Sequence, residues 1–292
     1  LGADIKSLPG NGCAPFIMYG GLEGGYASLE AHSSQYLTSL LMACPFAANT
    51  TTLKVPLLNE SAYVGITLDW LNRLGLDGQN EDMQRFRIPG GQSCKGFERR
   101  IPADFSSATF FLAAGALGDN SVECHGLDFD DPQPDKAVVD YLQQMGATIE
   151  HTKTGIRVSA AQLRGCELDL NETPDALPMM AVLGCFAKGE TRLVNVAHAR
   201  IKETDRIAAM ACELRKMGAD IEEREDGLII REQALRGADV DGWKDHRIVM
   251  ALAVAATAAS GTTTIEGAEA VSVTFPDFPE RLQALGAQLE TQ

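Results

Sequence analysis

The sequence lacks any apolar run long enough to span a bilayer and shows no signal peptide, which argues against a membrane-spanning protein. Basic side chains are also scarce: 25 Lys and Arg stand against 40 Asp and Glu, and the formal net charge is -15. This excess of negative charge argues against nucleic acid and anionic membrane surfaces as partners. A small anionic substrate is still compatible with it, because a local cluster of Lys and Arg can outweigh a distant acidic surface.

Paired cysteines are missing too. The sequence has seven cysteines, an odd number, and none of them forms a C-x-x-C pair. This pattern supports neither a disulfide framework nor a zinc site. It predicts reduced, mostly buried thiols and a cytoplasmic location. The cysteines are Cys13, Cys44, Cys94, Cys124, Cys166, Cys185 and Cys212.

The chain contains an internal repeat. Its 292 residues, 45% of them hydrophobic, are enough for two domains with cores of their own. A Leu-Gly or Met-Gly pair, usually followed by Ala, recurs at intervals of roughly 70 residues. In each later copy the glycine ends an amphipathic helix pattern, as expected for a C-terminal helix stop. The glycines are Gly2, Gly75, Gly146, Gly218 and Gly286.

Each repeat is predicted to hold two helices. One is strongly apolar and begins at polar residues, which are either ordinary N-caps or, if the helix starts converge, parts of an anion site. The other is amphipathic, and alternating segments at 147–158 and 219–231 predict β-hairpins. The repeat is therefore βαβαββ-like, of the α/β (α+β) class. The apolar helices are predicted at 33–44, 106–117, 175–187 and 245–259, and the amphipathic ones at 66–74, 138–145, 207–217 and 282–285.

A run of charged residues, from His198 to Arg206, leads into one amphipathic pattern. The spacing predicts that it forms the first one or two turns of the helix. Lys202 and Arg206, four residues apart, would then share a face, where two cations repel unless an anion lies between them. An alternative is a solvated helix start in which Glu203 and Asp205 favour the helix dipole. Composition alone leaves both interpretations open.

Several short motifs resemble one family when they are taken together and in order. Singly, Ser-Ser-Gln or Pro-Asp-Ala carries no information, but in this order and with the Lys-Glu-Thr-Asp-Arg run the match is highly specific. Along its whole length the sequence resembles the 5-enolpyruvylshikimate-3-phosphate (EPSP) synthases. The motifs are Ser33-Ser34-Gln35, Gly90-Gly91-Gln92-Ser93, Pro102-Ala103-Asp104-Phe105-Ser106-Ser107-Ala108, Pro174-Asp175-Ala176, Lys202-Glu203-Thr204-Asp205-Arg206, Asp245-His246-Arg247 and Thr274-Phe275-Pro276-Asp277-Phe278.

The resemblance implies the enolpyruvyl transferase fold, with two domains of repeated βαβαββ units, buried helices and outer sheets. Residues 1–103 would form a partial first domain and residues 104–292 a nearly complete second domain, with four of the family's six repeats present. The active site is expected in the cleft between them. The implied reaction belongs to the shikimate pathway of aromatic amino acid biosynthesis. It transfers the enolpyruvyl group of phosphoenolpyruvate to the 5-hydroxyl of shikimate 3-phosphate and releases phosphate, without a metal or organic cofactor.

The resemblance also implies roles for individual side chains. Asp175 is the expected base, with an ordinary N-cap as the alternative, and Glu203 is the expected proton donor to the methylene carbon. Tyr63 is expected against the shikimate ring or, equally, in the core. Shikimate 3-phosphate is expected to bind Ser33, Ser34, Gln35, Ser61, Asp175, His198 and Lys202, although capping alone would explain the serines. Phosphoenolpyruvate is expected to bind Gln35, Arg206, Arg247 and His246.

Three positions depart from the family pattern. Val273 stands where many members carry a lysine that contacts phosphoenolpyruvate. His198 stands where asparagine is frequent, which would make the charge at this position depend on pH. Lys244 also replaces a frequent asparagine, and its charge would partly replace the lost lysine. Asp205 is expected to be a structural partner of a neighbouring cation rather than a catalyst.

The sequence also lacks the N-terminal substrate-binding segment of the family. The expectation is therefore that this chain is the C-terminal two-thirds of the family's length and has little activity by itself. One alternative is the related transferase that acts on UDP-N-acetylglucosamine, with Cys94 or Cys124 as its acid. Another is a non-catalytic fragment that works only with a complementary N-terminal chain.

Overall fold

A computed structural model describes residues 1–290 of the chain. The chain forms two compact units, one of Leu1–Arg100 and a second that begins at Ile101. The sequence analysis put the division slightly later, between residues 103 and 104. No helix in the described part is both long and apolar enough to cross a membrane.

Helices and short strands alternate along both units. Five short 3-10 helices lie at Cys44–Phe46, Pro134–Lys136, Pro174–Ala176, Ala197–Ile201 and Ala268–Val273. The α-helices are α1 (Ser34–Ala43), α2 (Ser61–Arg73), α3 (Phe105–Ala116), α4 (Ala137–Gln144), α5 (Leu177–Phe186), α6 (Arg206–Lys216), α7 (His246–Ala258) and α8 (Phe278–Ala284). The strands are β1 (Asp4–Ser7), β2 (Phe16–Tyr19), β3 (Gly25–Ala31), β4 (Thr51–Leu58), β5 (Gln79–Glu81), β6 (Arg85–Ile88), β7 (Ser121–His125), β8 (Thr148–His151), β9 (Gly155–Ser159), β10 (Glu167–Asp169), β11 (Glu190–Val194), β12 (Asp220–Arg224), β13 (Gly227–Arg231), β14 (Asp239–Asp241) and β15 (Thr264–Glu266).

The predicted βαβαββ unit is confirmed twice in full. In the first unit, β3 and β4 are parallel, β6 pairs antiparallel with β4, and β5 forms the edge, so that the sheet order is β3-β4-β6-β5. In the second unit, β10, β11, β13 and β12 repeat the same order and directions. The segment from α3 to β9 has the last part of this pattern, and the segment from β14 to α8 has the first. The chain is therefore built from the βαβαββ repeat that the sequence predicted.

The core of the second unit is built around α3, α5 and α7, which pack against one another. These helices are apolar on nearly every side, and most of their residues are fully buried. A helix without a polar face has to be covered all round, which is why the three lie inside the sheets and the amphipathic helices. The first unit has a smaller core around Leu37, Leu41, Leu53 and Phe86. In the second unit, the polar N-terminal ends of α3, α5 and α7 therefore belong to the same compact unit as the charged run from His198 to Arg206.

The amphipathic helices end at glycine, as the repeat predicted. Gly146 has a φ of 98° and Gly218 a φ of 95°, in the left-handed region that other residues avoid. After each glycine the chain turns back, and the N–H of Ala147 and of Ala219 donates to a carbonyl inside the preceding helix. The hairpins predicted at 147–158 and 219–231 then follow as β8–β9 and β12–β13.

Two helix boundaries were predicted wrongly. The predicted helix at 66–74 begins earlier, because α2 starts at Ser61, directly after Glu60 in a left-handed conformation with a φ of 57°. The predicted helix at 282–285 is the end of α8, which starts at Phe278 with a proline in its first turn. Proline fits the first turn of a helix because the N–H that it lacks has no helical partner there. Apolar periodicity alone carries no information about these polar and proline-containing starts.

Candidate active site

The charged run that ends at Arg206 is not the start of the amphipathic helix. A 3-10 helix covers Ala197–Ile201, an irregular turn follows, and α6 begins only at Arg206. The prediction that Lys202 and Arg206 share a helix face is therefore wrong. The cause is the N-cap, since the Asp205 carboxylate accepts the N–H of Ala208 at 3.0 Å and fixes where the helix begins.

Asp205 also pairs with a neighbouring cation, as the sequence predicted. Arg200 Nη1 lies 2.8 Å from Asp205 Oδ2 and 2.9 Å from Glu223 Oε1. The same guanidinium donates to the carbonyl oxygens of Arg224 and Glu225, at 2.7 and 2.9 Å. Burial alone would lower the pKa of Arg200, but its carboxylate partners raise the pKa above the ordinary value. The loop before α6 is thus anchored to both the helix start and the β12–β13 hairpin.

Arg206 is bonded to three carboxylates. Its Nε lies 2.8 Å from Asp245 Oδ2, its Nη1 lies 2.6 Å from Asp175 Oδ1, and its Nη2 lies 2.5 Å from Glu203 Oε2. The side chain is only 1% exposed. Burial works to lower the pKa of Arg206, yet the surrounding carboxylates raise it above its ordinary value, so the guanidinium stays charged. We call Arg206 and its three carboxylate partners, together with Arg247, the arginine cluster.

Asp175 lies between both guanidinium groups of the arginine cluster. Arg247 Nη2 is 2.8 Å from Asp175 Oδ2, while Arg206 holds the other oxygen. Asp175 belongs to the 3-10 turn at Pro174–Ala176 and does not cap α5, which has no side-chain cap. Burial would raise the pKa of Asp175, but Arg247, Arg206 and Lys202 outweigh burial and lower it to about 2. Asp175 is therefore ionised at neutral pH and a weak base.

The start of α7 completes the arginine cluster. Asp245 is fully buried, and its Oδ1 accepts the N–H of Arg247 at 2.8 Å while its Oδ2 binds Arg206. One carboxylate thus caps α7 and orients a buried guanidinium. His246 is also buried, 3.9 Å from Asp245 through Nδ1. Burial and the neighbouring Arg247 lower the pKa of His246, so at neutral pH it adds an uncharged imidazole to the site.

His198 is buried, and the structure leaves the predicted pH dependence of its charge as a prediction. Its Nε2 lies 3.1 Å from the carbonyl oxygen of Asn171. Since a carbonyl only accepts, Nε2 carries the hydrogen of this bond. Lys202 follows the same 3-10 helix as its C-terminal cap residue and contributes to the lowered pKa of Asp175. The structure therefore brings Lys202 near Asp175, whereas His198 ties the loop to the segment before Asp175.

The predicted serines of the first unit lie at the starts of α1 and α2. Ser33 is the N-cap of α1, and its Oγ accepts the N–H of Gln35 at 3.4 Å. Ser34 donates its hydroxyl to Glu60 Oε2 at 2.7 Å and its N–H to the same oxygen at 3.2 Å. Glu60 directly precedes Ser61, so this bond joins the two helix starts. Ser33 therefore caps α1, as the capping alternative predicted. Gln35 is exposed and Ser61 is half-buried.

Two of the three positions that depart from the family pattern, Val273 and Lys244, are exposed. Val273 ends the last 3-10 helix with 77% of its surface exposed. Lys244 is exposed and has a φ of 54°, in the left-handed region. Tyr63 is half-buried in the first turn of α2. The suggestion that the Lys244 ammonium partly replaces the missing lysine stays a prediction.

Comparison with known proteins identifies the family. The family model of EPSP synthase (3-phosphoshikimate 1-carboxyvinyltransferase) matches residues 1–282. The chain belongs to the EPSP synthase family. It is 50% identical over 290 residues to the 3-phosphoshikimate 1-carboxyvinyltransferase of Ruminiclostridium cellulolyticum, covering 99% of this chain and 69% of the relative. With the enzyme of the same name from Acetivibrio thermocellus the identity is 48%, covering 100% and 69%.

A solved structure gives the same family. The EPSP synthase of Acinetobacter baumannii superposes with a TM-score of 0.82 at 28% identity, over 100% of this chain and 69% of that one. This agreement with an EPSP synthase confirms the predicted fold class. The alternative transferase that acts on UDP-N-acetylglucosamine has no support among these matches, and with it Cys94 and Cys124 lose their suggested role as acids.

Sequence reasoning missed two contacts that organise the site. Asp245 was predicted as the polar start of an apolar helix, and it does cap α7, but its bond to Arg206 was not predicted. The bond by which Glu60 joins the α1 and α2 starts was not predicted either. The cap has a sequence signal, since an acidic residue directly before a long apolar helix is a typical N-cap. The two bonds have none, because their partners lie 39 and 26 positions apart.

Proposed function

We propose that this chain carries out the EPSP synthase reaction, the transfer of the enolpyruvyl group from phosphoenolpyruvate to the 5-hydroxyl of shikimate 3-phosphate. Family membership supports the reaction, and the arginine cluster is the observation in this chain that carries it. Its two guanidinium groups suit a substrate that brings its own phosphate and carboxylate. We further infer that the chain corresponds to the C-terminal two-thirds of the family's length. The chain covers 69% of the length of its relative from Ruminiclostridium cellulolyticum, which supports this fraction.

The proposed binding step is an exchange of ion pairs. Arg206 and Arg247 are both bonded to Asp175. Phosphoenolpyruvate has to take these cations over, and its anionic groups then replace the carboxylate of Asp175. The pKa of Asp175 then rises, because the two guanidinium groups that lowered it are bound to the substrate. Asp175 becomes a stronger base as a result. Binding of one substrate thereby prepares the group that acts on the other.

The proposed chemical steps need one base and one acid. Asp175 takes the proton of the 5-hydroxyl of shikimate 3-phosphate. The hydroxyl oxygen bonds at the same time to the carbon of phosphoenolpyruvate that carries the phosphate. Glu203 donates a proton to the adjacent methylene carbon, which becomes a methyl group. The Glu203 carboxylate then takes a proton back from this carbon as the C–O bond to phosphate breaks, and the double bond is restored. Glu203 has 48% of its side chain exposed, which leaves it accessible to substrate. Shikimate 3-phosphate is proposed to bind Ser33, Ser34, Gln35, Ser61, His198 and Lys202, and His246 is proposed to line the phosphoenolpyruvate site.

The direct test measures phosphate release from the two substrates. The chain is assayed alone and with an added N-terminal polypeptide from the Ruminiclostridium cellulolyticum relative, and that relative's full-length enzyme serves as the positive control. We expect release that requires both substrates and is much faster with the added polypeptide. Full activity of the chain alone would disprove the expected dependence on a second polypeptide and leave the reaction in place. Absence of release in both arms, with an active control, would disprove the proposed function.

Replacing Val273 with lysine tests the departure at this position. A cation at this exposed site should lower the KM for phosphoenolpyruvate by up to about fivefold, the effect of one exposed ion pair of about 1 kcal/mol at most. The KM for shikimate 3-phosphate should stay nearly constant. Val273→Met is the matched control of similar length without charge. An equal change in both variants would show that side-chain size, rather than charge, matters here.

A further inference from the structure

Glu213 is a buried carboxylate outside the arginine cluster. It lies on α6, two helical turns after Arg206 and so on the same side of the helix, and its side chain is 1% exposed. Its Oε2 accepts the N–H of Asp241 at 2.9 Å, and its Oε1 accepts the indole N–H of Trp243 at 2.9 Å. Lys216 Nζ lies 2.7 Å from Oε2 and balances the charge. Both oxygens therefore bind the turn that leads from β14 into α7.

This turn has an unusual backbone. Trp243 and Lys244 follow one another with φ values of 52° and 54°, although neither is a glycine. Left-handed conformations of such residues cost about 1 to 3 kcal/mol each and persist only when their surroundings fix them. Asp241 Oδ1 accepts the Trp243 N–H at 2.6 Å, and the Gly242 N–H donates to the carbonyl oxygen of Glu266 at 2.8 Å. These two bonds lie within the turn and between β14 and β15. The two bonds to Glu213 tie the turn to another element, helix α6.

The turn sets the position of two side chains in the arginine cluster. Directly after it, Asp245 caps α7 and binds Arg206, and the N–H of Arg247 donates to the same carboxylate. Helix α6 thus binds the segment at two points, through Glu213 at Asp241 and Trp243 and through Arg206 at Asp245. A shift of the turn moves Asp245 and Arg247 together, because no flexible segment separates them.

The preceding repeat has the same arrangement one repeat length earlier. There Tyr141, on α4, donates its hydroxyl to the carbonyl oxygen of Asp169 at 3.1 Å and lies 2.9 Å from Thr173 Oγ1. Asp169 Oδ1 accepts the N–H of Asn171, as Asp241 does for Trp243. This turn leads to Asp175. In two consecutive repeats, a side chain from the amphipathic helix holds the turn that carries a side chain of the cluster.

We propose that Glu213 is a positioning residue for phosphoenolpyruvate binding, acting through the turn 241–244 on Asp245 and Arg247. The inference rests on the proposed function for the identity of the anion, but not for the mechanical link. Glu213 and Trp243 would then fix the turn 241–244 as well as fill the core. A carboxylate that served stability alone would, when changed, lower the melting temperature without acting selectively on one substrate.

The test compares three variants. Glu213→Gln keeps the shape but leaves one acceptor oxygen for two donors, the Asp241 N–H and the Trp243 indole N–H, so that one of them faces an NH2 group. Trp243→Phe keeps a ring but removes the indole N–H. Lys216→Gln is the matched control, because Lys216 is 43% exposed and binds Glu213 without touching the turn. We expect the KM for phosphoenolpyruvate to rise about tenfold in Glu213→Gln and severalfold in Trp243→Phe. The KM for shikimate 3-phosphate should change less than about twofold in both, and Lys216→Gln should match the unchanged protein.

Amide hydrogen exchange supplies a readout that needs no turnover. The amides of residues 243, 245 and 247 should exchange faster in Glu213→Gln and Trp243→Phe than in Lys216→Gln. Unchanged exchange in a folded variant, or equal changes in both KM values, would overturn the positioning role. If the unchanged chain processes no phosphoenolpyruvate under any condition, the proposed function fails, while the exchange experiment still decides the link between Glu213 and the turn. If Glu213→Gln does not fold, Trp243→Phe decides alone.

Discussion

Replacing Arg206 with methionine should lower the free energy of unfolding by about 3 to 5 kcal/mol, the usual result of removing one partner of a buried ion pair. Methionine has a similar length and fills most of the space, so the loss comes from charge rather than from a cavity. Asp245, with 0% of its side chain exposed, would be left facing Asp175 with no guanidinium between them. Urea unfolding at neutral pH measures the difference.

A matched control separates burial from charge. Arg192 also pairs with a carboxylate, Glu190, but has half of its side chain in solvent. Arg192→Met should cost less than about 1 kcal/mol. Adding Asp245→Asn to Arg206→Met should recover part of the lost stability, because it removes the unpaired buried charge. If Arg206→Met and Arg192→Met lower the free energy of unfolding by equally small amounts, the arginine cluster does not stabilise the fold. Repulsion among its carboxylates would then be weak.

The sequence predicts the repeat and most of the helices, because both follow from local periodicity. The apolar pattern of α5 and α7 has no polar face, and this alone requires burial. The glycines at 146 and 218 are required wherever a helix ends in the left-handed region, so their spacing reveals the repeat length. These features depend on neighbours within one or two turns. They are therefore visible without the structure.

The geometry of the site is not predictable in this way, because it depends on partners far apart in the sequence. Arg206 and Asp245 are 39 positions apart, and Arg206 and Asp175 are 31 apart. The family resemblance named Arg206 and Asp175 as site residues, but it said nothing of their pairing in the absence of substrate. The charged run was misassigned for a related reason. Its helix start is set by one carboxylate, Asp205, whereas periodicity averages over the whole run.

Asp175 and Glu203 should differ in what their loss does, although both are proposed to act on protons. Asp175→Asn and Glu203→Gln should each lower kcat by about 10²- to 10⁴-fold, the range for a general acid or base. Only Asp175→Asn should also reduce stability, by about 2 kcal/mol at neutral pH, because its folded pKa of about 2 lies well below the ordinary 3.8. Glu203, half exposed and bonded to one guanidinium, should contribute less than about 1 kcal/mol.

The pH dependence gives the sign of the Asp175 effect. A carboxylate whose pKa is lowered by folding stabilises the protein above its unfolded pKa, and this contribution is lost as the pH falls toward the folded pKa. The stability gap between the unchanged protein and Asp175→Asn should therefore be constant above about pH 5 and close between about pH 4 and pH 2. Urea unfolding at a series of pH values measures it, with Glu203→Gln as the control. A gap that persists at pH 2 would mean that packing, rather than the two guanidinium groups, accounts for the loss. Normal kcat in either variant would remove that residue from the proposed mechanism, whatever its effect on stability.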